Sequence, residues 1–243
     1  MFARTLAGAA LVVSHDRYEA GTIAERRLGC TVHILDDGFQ HLQLARDVNL
    51  LVASRADLDN RVVPSGTLRE PLTAARAADA VLVEGSDEDL QAVADGFGVS
   101  TAFRVTRRFH PVRALQSNDV RPARAIAVAG IARPERFFAA LRDQGWEIAC
   151  EFAFRDHHWF TARDIETIEQ AARDHGANLV ITTEKDAARL PDVGRALSGP
   201  PGEPDKARPT WAVLPLEVVI DDRFAPWLAG RLAAARRQRG ERA

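Results

Sequence analysis

The stretch Thr31-Val32-His33-Ile34-Leu35-Asp36-Asp37-Gly38-Phe39-Gln40-His41 decides how the rest of this sequence is read. A mostly apolar run predicts a strand over Thr31–Leu35, and it ends abruptly in two adjacent carboxylates. Gly38 permits a sharp turn, and His41 follows within reach. In open α/β sheets ligands gather beyond the carboxyl ends of the strands. Two carboxylates placed there repel each other unless a cation or a base is present. They suit a hard cation such as Mg²⁺ held beside phosphate oxygens. The same letters also describe a solvated turn, since Asp and Gly are ordinary turn residues. Spacing alone leaves both readings open.

Working outward, short and nearly continuous apolar runs at Ala10–Val13, Val48–Ala53 and Ala80–Val83 predict further strands covered on both faces. Arg17–Leu28 and Asp87–Ala94 read as helices between them, which is the alternation of a parallel α/β unit. Thr101–Arg124 breaks the pattern: it is Arg-rich, holds two prolines and contains Gln116-Ser117-Asn118-Asp119. It predicts extended strands or a hairpin joining two units. A second alternation then begins, with strands at Ala125–Ala129, Glu147–Phe152, Leu179–Thr182 and Trp211–Leu214. Its helices open at Pro134, a residue suited to the first helical position, and at the cap Thr161. Ser198–Pro209, with four prolines and two glycines, predicts a loop. Phe224–Gln238 predicts a last helix whose basic end complements the helix dipole. The division expected is 1–105, a linker over 106–124, and 125–243.

A net charge of −2 gives no basic footprint for nucleic acid. Lys185 and Lys206 are the only lysines, so arginine carries nearly all positive charge. Cys30 and Cys150 lack metal-type spacing and read as reduced thiols. No apolar run approaches the ~18 residues a membrane span needs, and Met1–Val13 is too short and too lightly charged for a signal peptide.

Other segments offer chemistry beside a plainer account. In Pro64-Ser65-Gly66-Thr67-Leu68-Arg69-Glu70-Pro71-Leu72, Arg69 can bind phosphate and Glu70 a sugar hydroxyl, or the two form a local ion pair. Arg17 can reach the same strand-end crevice, or its neighbours Ser14 and Asp16 simply cap a helix. In Arg155-Asp156-His157-His158-Trp159-Phe160, a His beside an Asp can act as general base or be oriented by it. Adjacent histidines point different ways and chelate poorly; a polar loop with a capping Asp156 is the alternative. Thr183-Glu184-Lys185-Asp186 is close to a capping box with Asp in place of Glu. Gly130-Ile131-Ala132-Arg133-Pro134 is a strand-to-helix turn that can take an anion or merely pack.

Taken in order, Asp36-Asp37-Gly38-Phe39-Gln40-His41, Leu44-Ala45-Arg46-Asp47, Leu68-Arg69-Glu70-Pro71-Leu72, Ala129-Gly130-Ile131-Ala132-Arg133-Pro134, Asp156-His157-His158 and Thr183-Glu184-Lys185-Asp186 resemble the tetraacyldisaccharide 4'-kinases of lipid A biosynthesis. The resemblance spans nearly the whole chain. It implies two P-loop or Rossmann-like α/β/α domains with mostly parallel sheets, joined by a β-hairpin. It implies ATP- and Mg²⁺-dependent phosphorylation of the 4'-hydroxyl of a tetraacylated glucosamine disaccharide 1-phosphate. The implied setting is the cytoplasmic face of the bacterial inner membrane, with peripheral lipid contact. It implies Asp36 as a metal ligand, Asp37 and His157 as catalytic residues, and Arg17, His41, Arg69 and Glu70 as substrate- or phosphate-binding residues.

The sequence departs from that family in three respects. No G-x-x-x-x-G-K-[ST] phosphate loop is present, and neither Lys185 nor Lys206 follows a glycine. The family's Gly-Asp-Glu-Pro segment and its hydrophobic N-terminal helix are also missing. The expectation is an N-terminally truncated member with an incomplete first domain, itself nearly inactive. The alternative is a non-catalytic, lipid-disaccharide-binding or degenerate homologue.

Overall fold

In the computed structural model, residues 6, 8–115, 121, 123–190 and 208–240 are described. The expected turn at 116–119 and most of the expected loop at 198–209 lie outside them. The elements are α1 (Arg17–Leu28), β1 (Leu50–Ser54), β2 (Ala80–Glu84), α2 (Asp87–Phe97), β3 (Ala102–Phe109), β4 (Arg113–Ala114), β5 (Arg124–Ala129), α3 (Pro134–Asp143), β6 (Glu147–Ala153), α4 (Ala162–Asp174), β7 (Leu179–Thr183), α5 (Glu184–Ala187), β8 (Thr210–Leu214), β9 (Leu216–Ile220) and α6 (Phe224–Gly240). Short 3₁₀ turns occupy Arg55–Asp57 and Leu72–Ala77.

The chain folds as two compact units, one of residues 108–217 and the other of 2–107 with 218–243. In the 108–217 unit the sheet order is β4-β8-β7-β5-β6. β5 pairs in parallel with both β6 and β7, β7 in parallel with β8, and β4 antiparallel with β8. Strand residues alternate between faces, and the core divides accordingly. Ala125, Ala127, Ala129, Leu179 and Ile181 pack with Phe137, Phe138 and Leu141 of α3. Ile126, Val128 and Val180 pack with Ile168 and Ala172 of α4. One continuous apolar strand thus feeds both layers, which is why its sequence shows no polar alternation.

The other unit carries the sheet β1-β2-β3-β9, with β1, β2 and β3 parallel. Val81 and Val83 face Val93 and Phe97 of α2. Ala80, Leu82, Phe103 and Val105 face Ile220, Phe224 and Trp227. Phe103 lies 5.3 Å from both aromatic rings of α6. The linear division expected from the sequence therefore fails at its end. Residues 218–243 pack with the first sheet, because α6 covers the face that α2 leaves open.

The expected α/β class with mostly parallel sheets holds, and most elements fall where the pattern placed them. Two strands do not. Ala10–Val13 and Thr31–Leu35 belong to no ladder among the described residues. Ile34 is 93% exposed and Val13 87%. An apolar run becomes a strand only when a neighbour accepts its backbone hydrogen bonds, and β1, the edge of this sheet, pairs with β2 alone.

Candidate functional site

In the 2–107/218–243 unit, the turn after Leu35 is a built structure even though no strand precedes it. Asp37 takes a left-handed φ of 52°, a conformation Asp tolerates better than most residues. A Cβ on Gly38 would lie 2.5 Å from the Leu35 Cβ, so only glycine fits there. Arg46 donates from Nη1 to the carbonyls of Gly38, at 3.3 Å, and of His41, at 2.5 Å, which fixes the turn from below.

Two side-chain pairs join this turn to the loop at 61–70. Arg69 Nη1 donates to Asp37 Oδ2 at 2.8 Å, and Gln40 Nε2 donates to Glu70 Oε1 at 2.6 Å. The Asp37 hydrogen bond and charge hold the Arg69 guanidinium above its ordinary pKa. Arg69 and Glu70 therefore pair across the turn rather than with each other. Asp36 is exposed and makes no ion pair among the described residues. The His41 backbone belongs to the turn, its N–H reaching Gly38 O at 3.1 Å. Arg17 is not brought to the carboxylates. Its guanidinium bonds the Ser14 carbonyl, and Asp16 caps α1 by accepting from the Tyr18 and Glu19 amides. Four of the expected residues, Asp36, Asp37, Arg69 and Glu70, thus share one exposed polar surface.

The 108–217 unit holds a second cluster. β5 sends the chain to β6 on one side, while β7 lies on the other, so the crevice beyond β5 and β7 is a topological switch point. Three parallel strands end there, delivering Gly130, the Arg155–His158 turn and the Thr183–Asp186 turn to one edge. The His157 amide donates to Gly130 O at 3.2 Å. Gly130 donates its own amide to Asp186 Oδ2 at 2.9 Å. A Cβ on Gly130 would sit 3.2 Å from Asp186 Oδ1 and 3.4 Å from the His158 Cβ.

The two histidines do point apart. His158 stacks on Phe154 at 4.5 Å and pairs with Asp164 at 3.1 Å, a packing role. His157 takes a left-handed φ of 62° and stands two-thirds exposed. Its Nδ1 lies 2.9 Å from Arg189 Nη2, and its Nε2 lies 3.6 Å from Asp156 Oδ2. Asp156 caps no helix: it accepts from the His157 amide at 2.9 Å and from Lys185 Nζ at 3.2 Å. Burial alone would push the Asp156 carboxyl up. The Lys185 hydrogen bond and charge, with His157, outweigh it and hold Asp156 below its ordinary value.

Asp186 was read from the sequence only as part of a helix cap, and Arg189 was not singled out. Thr183 caps α5 as expected, accepting from the Asp186 amide. The Asp186 carboxylate, fully buried, instead reaches across to Gly130 and back to Thr183 Oγ1 at 2.7 Å. No local signal separates this Asp from one that closes a capping box, because its bridge to Gly130 depends on the strand order.

Each of the two α/β units gathers charged side chains on one polar surface, and the chain is of the α/β class whose members bind ligands at such surfaces. Comparison narrows the class. A model of the family described as tetraacyldisaccharide-1-P 4'-kinase matches residues 1–233, and the chain belongs to that family. Tetraacyldisaccharide 4'-kinase of Koribacter versatilis is 40% identical over 188 residues, covering 77% of this chain and 56% of the relative. That of Rhodopseudomonas palustris is 36% identical over 238 residues, covering 94% of this chain and 65% of the relative. The crystal structure of the "apo" form of LpxK from Aquifex aeolicus in complex with ATP aligns with a TM-score of 0.61 at 27% identity, covering 91% of this chain and 63% of that one. This chain therefore spans a little over half to about two thirds of the length of these relatives.

Proposed function

We propose that this protein is a lipid kinase that transfers the γ-phosphoryl group of ATP to the 4'-hydroxyl of a tetraacylated glucosamine disaccharide 1-phosphate, a precursor of lipid A. The family match over residues 1–233 carries the reading. ATP as phosphoryl donor is supported by the ATP complex of the relative from Aquifex aeolicus.

Phosphoryl transfer asks a protein mainly for positioning and charge stabilisation. In this reading Asp37, held by Arg69, is a catalytic residue of one unit and His157 a catalytic residue of the other. Arg69 neutralises phosphate charge, His41 bonds a phosphate oxygen, and Glu70, steadied by Gln40, accepts from sugar hydroxyls, while Arg17, turned to the Ser14 carbonyl, stands outside this group. No three His, Cys, Asp or Glu side chains converge on a metal position among the described residues. Magnesium does not require that, since it keeps water and binds through one or two carboxylates plus phosphate oxygens. The uncommitted Asp36 carboxylate fits such a role. A bound magnesium ion would draw charge from the phosphate oxygens. In this reading the protein works as a peripheral protein at the cytoplasmic face of the inner membrane, where the acyl chains of its substrate are anchored. None of the described helices is long and apolar enough to cross a membrane.

The test is an assay on the protein expressed from its gene together with the flanking DNA, using γ-labelled ATP, Mg²⁺ and the disaccharide. Label in the 4'-position supports the reading. Disaccharide binding with no transfer and no ATP binding overturns it in favour of a non-catalytic lipid-binding homologue.

A further inference from the structure

The site above leaves one feature unused: a buried carboxylate, a mostly buried arginine and an exposed histidine in a line. Asp186 is fully buried, and its Oδ1 has no hydrogen-bond partner among the described residues. The nearest cation is Arg189, whose Nη1 lies 3.7 Å away and whose side chain is only 17% exposed. The other end of that guanidinium reaches His157 Nδ1 at 2.9 Å. Asp186 is itself fixed on two sides, by the Gly130 amide and by the Thr183 hydroxyl. A buried ion pair, without a direct hydrogen bond, thus ties the arginine to the strand-end framework, and its Nη2 meets the imidazole.

Arginine has donors and no acceptor. A guanidinium N–H pointed at Nδ1 requires the lone pair on Nδ1, which places the ring proton on Nε2. Nε2 is the nitrogen nearer Asp156 Oδ2, 3.6 Å away, on a side chain that is two-thirds exposed. A left-handed φ of 62° at His157 keeps the ring in that pose, a backbone state that non-glycine residues hold only where the surroundings impose it.

We propose that Arg189, anchored on buried Asp186, is a positioning residue that locks His157 in its Nε2-protonated form, so that His157 offers its substrate a hydrogen-bond donor rather than a base. Built on the kinase reading above, this assigns proton acceptance to a carboxylate. His157 then holds the oxygen of the acceptor hydroxyl or of the phosphoryl group.

The experiment reads the ring directly. The 243-residue chain is labelled with ¹⁵N in its histidine rings, and two-bond ¹H–¹⁵N correlations are recorded near neutral pH, with His157 assigned through His157→Gln. A protonated Nε2 and a lone-pair Nδ1 are expected. Arg189→Lys, which also only donates, keeps that pattern, while Arg189→Met shifts the ring toward the other tautomer or a mixture. An Nδ1-protonated ring in the parent chain overturns the proposal, as does an unchanged ring in Arg189→Met. The parent spectrum gives the tautomer, and the comparison of folded Arg189→Met with Arg189→Lys assigns it to Arg189. In the phosphorylating protein, Arg189→Met lowers kcat about 10- to 100-fold with KM for ATP and disaccharide unchanged, and Arg189→Lys restores most of it. Loss through KM alone, with kcat intact, also overturns the assignment. If the parent protein transfers no phosphate, the kinase reading fails, and the ring signature still decides the tautomer.

Discussion

Single residues in the 36–41 turn allow folding and the proposed chemistry to be tested separately. Asp37 and Arg69 are both well exposed, at 73% and 64% of their side chains, and water screens such a pair heavily. Asp37→Ala is therefore expected to leave the melting temperature unchanged, while in the protein expressed with its flanking DNA phosphoryl transfer collapses. A melting curve beside a transfer assay checks both halves, and normal turnover in the variant removes Asp37 from the site. Gly38→Ala behaves differently. Its new Cβ meets the stem of Leu35 at 2.5 Å, where no flexible end can swing away. Overpacking of this kind costs about 1–3 kcal/mol, measurable by urea denaturation. The crowding also displaces Asp37 from Arg69, so activity falls with stability. The need for glycine was legible in the sequence; its reason, the approach of Leu35 rather than a positive φ at Gly38, was not.

At the scale of elements, helix starts were legible because capping is local chemistry. Ser86 with Asp89 and Thr161 with Asp164 form reciprocal boxes at α2 and α4. Thr161→Ala is expected to destabilise the chain by about 1 kcal/mol, seen as a lower denaturation midpoint. These caps also set the acid limit. The Ser86 amide and hydroxyl hold Asp89 below its ordinary pKa. The Thr161 amide, followed by His158 and the Thr161 hydroxyl, does the same for Asp164. Asp221, before α6, is pulled down to about 2, first by the Arg223 side chain and then by its amide. A depressed folded-state pKa contributes stability that is complete above the unfolded value and is lost as pH falls toward the folded one. The melting temperature should thus hold from neutral pH to about 5 and fall below about 4. Asp164→Asn should start lower at neutral pH and lose less on acidification. Strands were less legible than helices. Ala125–Ala129 and Ala10–Val13 read alike as apolar runs, yet only the first has partners on both sides. Hydrogen exchange should show it: amides of Leu11–Val13 and Val32–Leu35 exchange far faster than those of β5 and β7, whose ladders protect them.

At the scale of the whole molecule, what the sequence hid is long-range. Nothing near Phe224 or Trp227 says that they close the layer over Phe103 more than a hundred positions earlier, or that Asp186 will meet Gly130 across β7 and β5. Those contacts make one unit continuous and the other discontinuous. Residues 108–217 contain both of their apolar clusters entirely. Their ends are already joined, the His110 amide donating to Pro215 O at 3.0 Å and His110 Nε2 lying 3.0 Å from Glu217 Oε2. A fragment of 108–217 is therefore expected to fold alone, with a cooperative melt and a dispersed amide spectrum. Residues 1–107 alone leave Leu82, Phe103 and Val105 without Phe224 and Trp227, so that fragment should lack a cooperative transition and bind hydrophobic dye. Joining 218–243 to it through a short flexible linker between Arg107 and Val218 should restore the transition, because α6 then covers the open face. A cooperative melt of 1–107 without α6 would show that the cluster of Val81, Val83, Val93 and Phe97 under α2 is sufficient by itself.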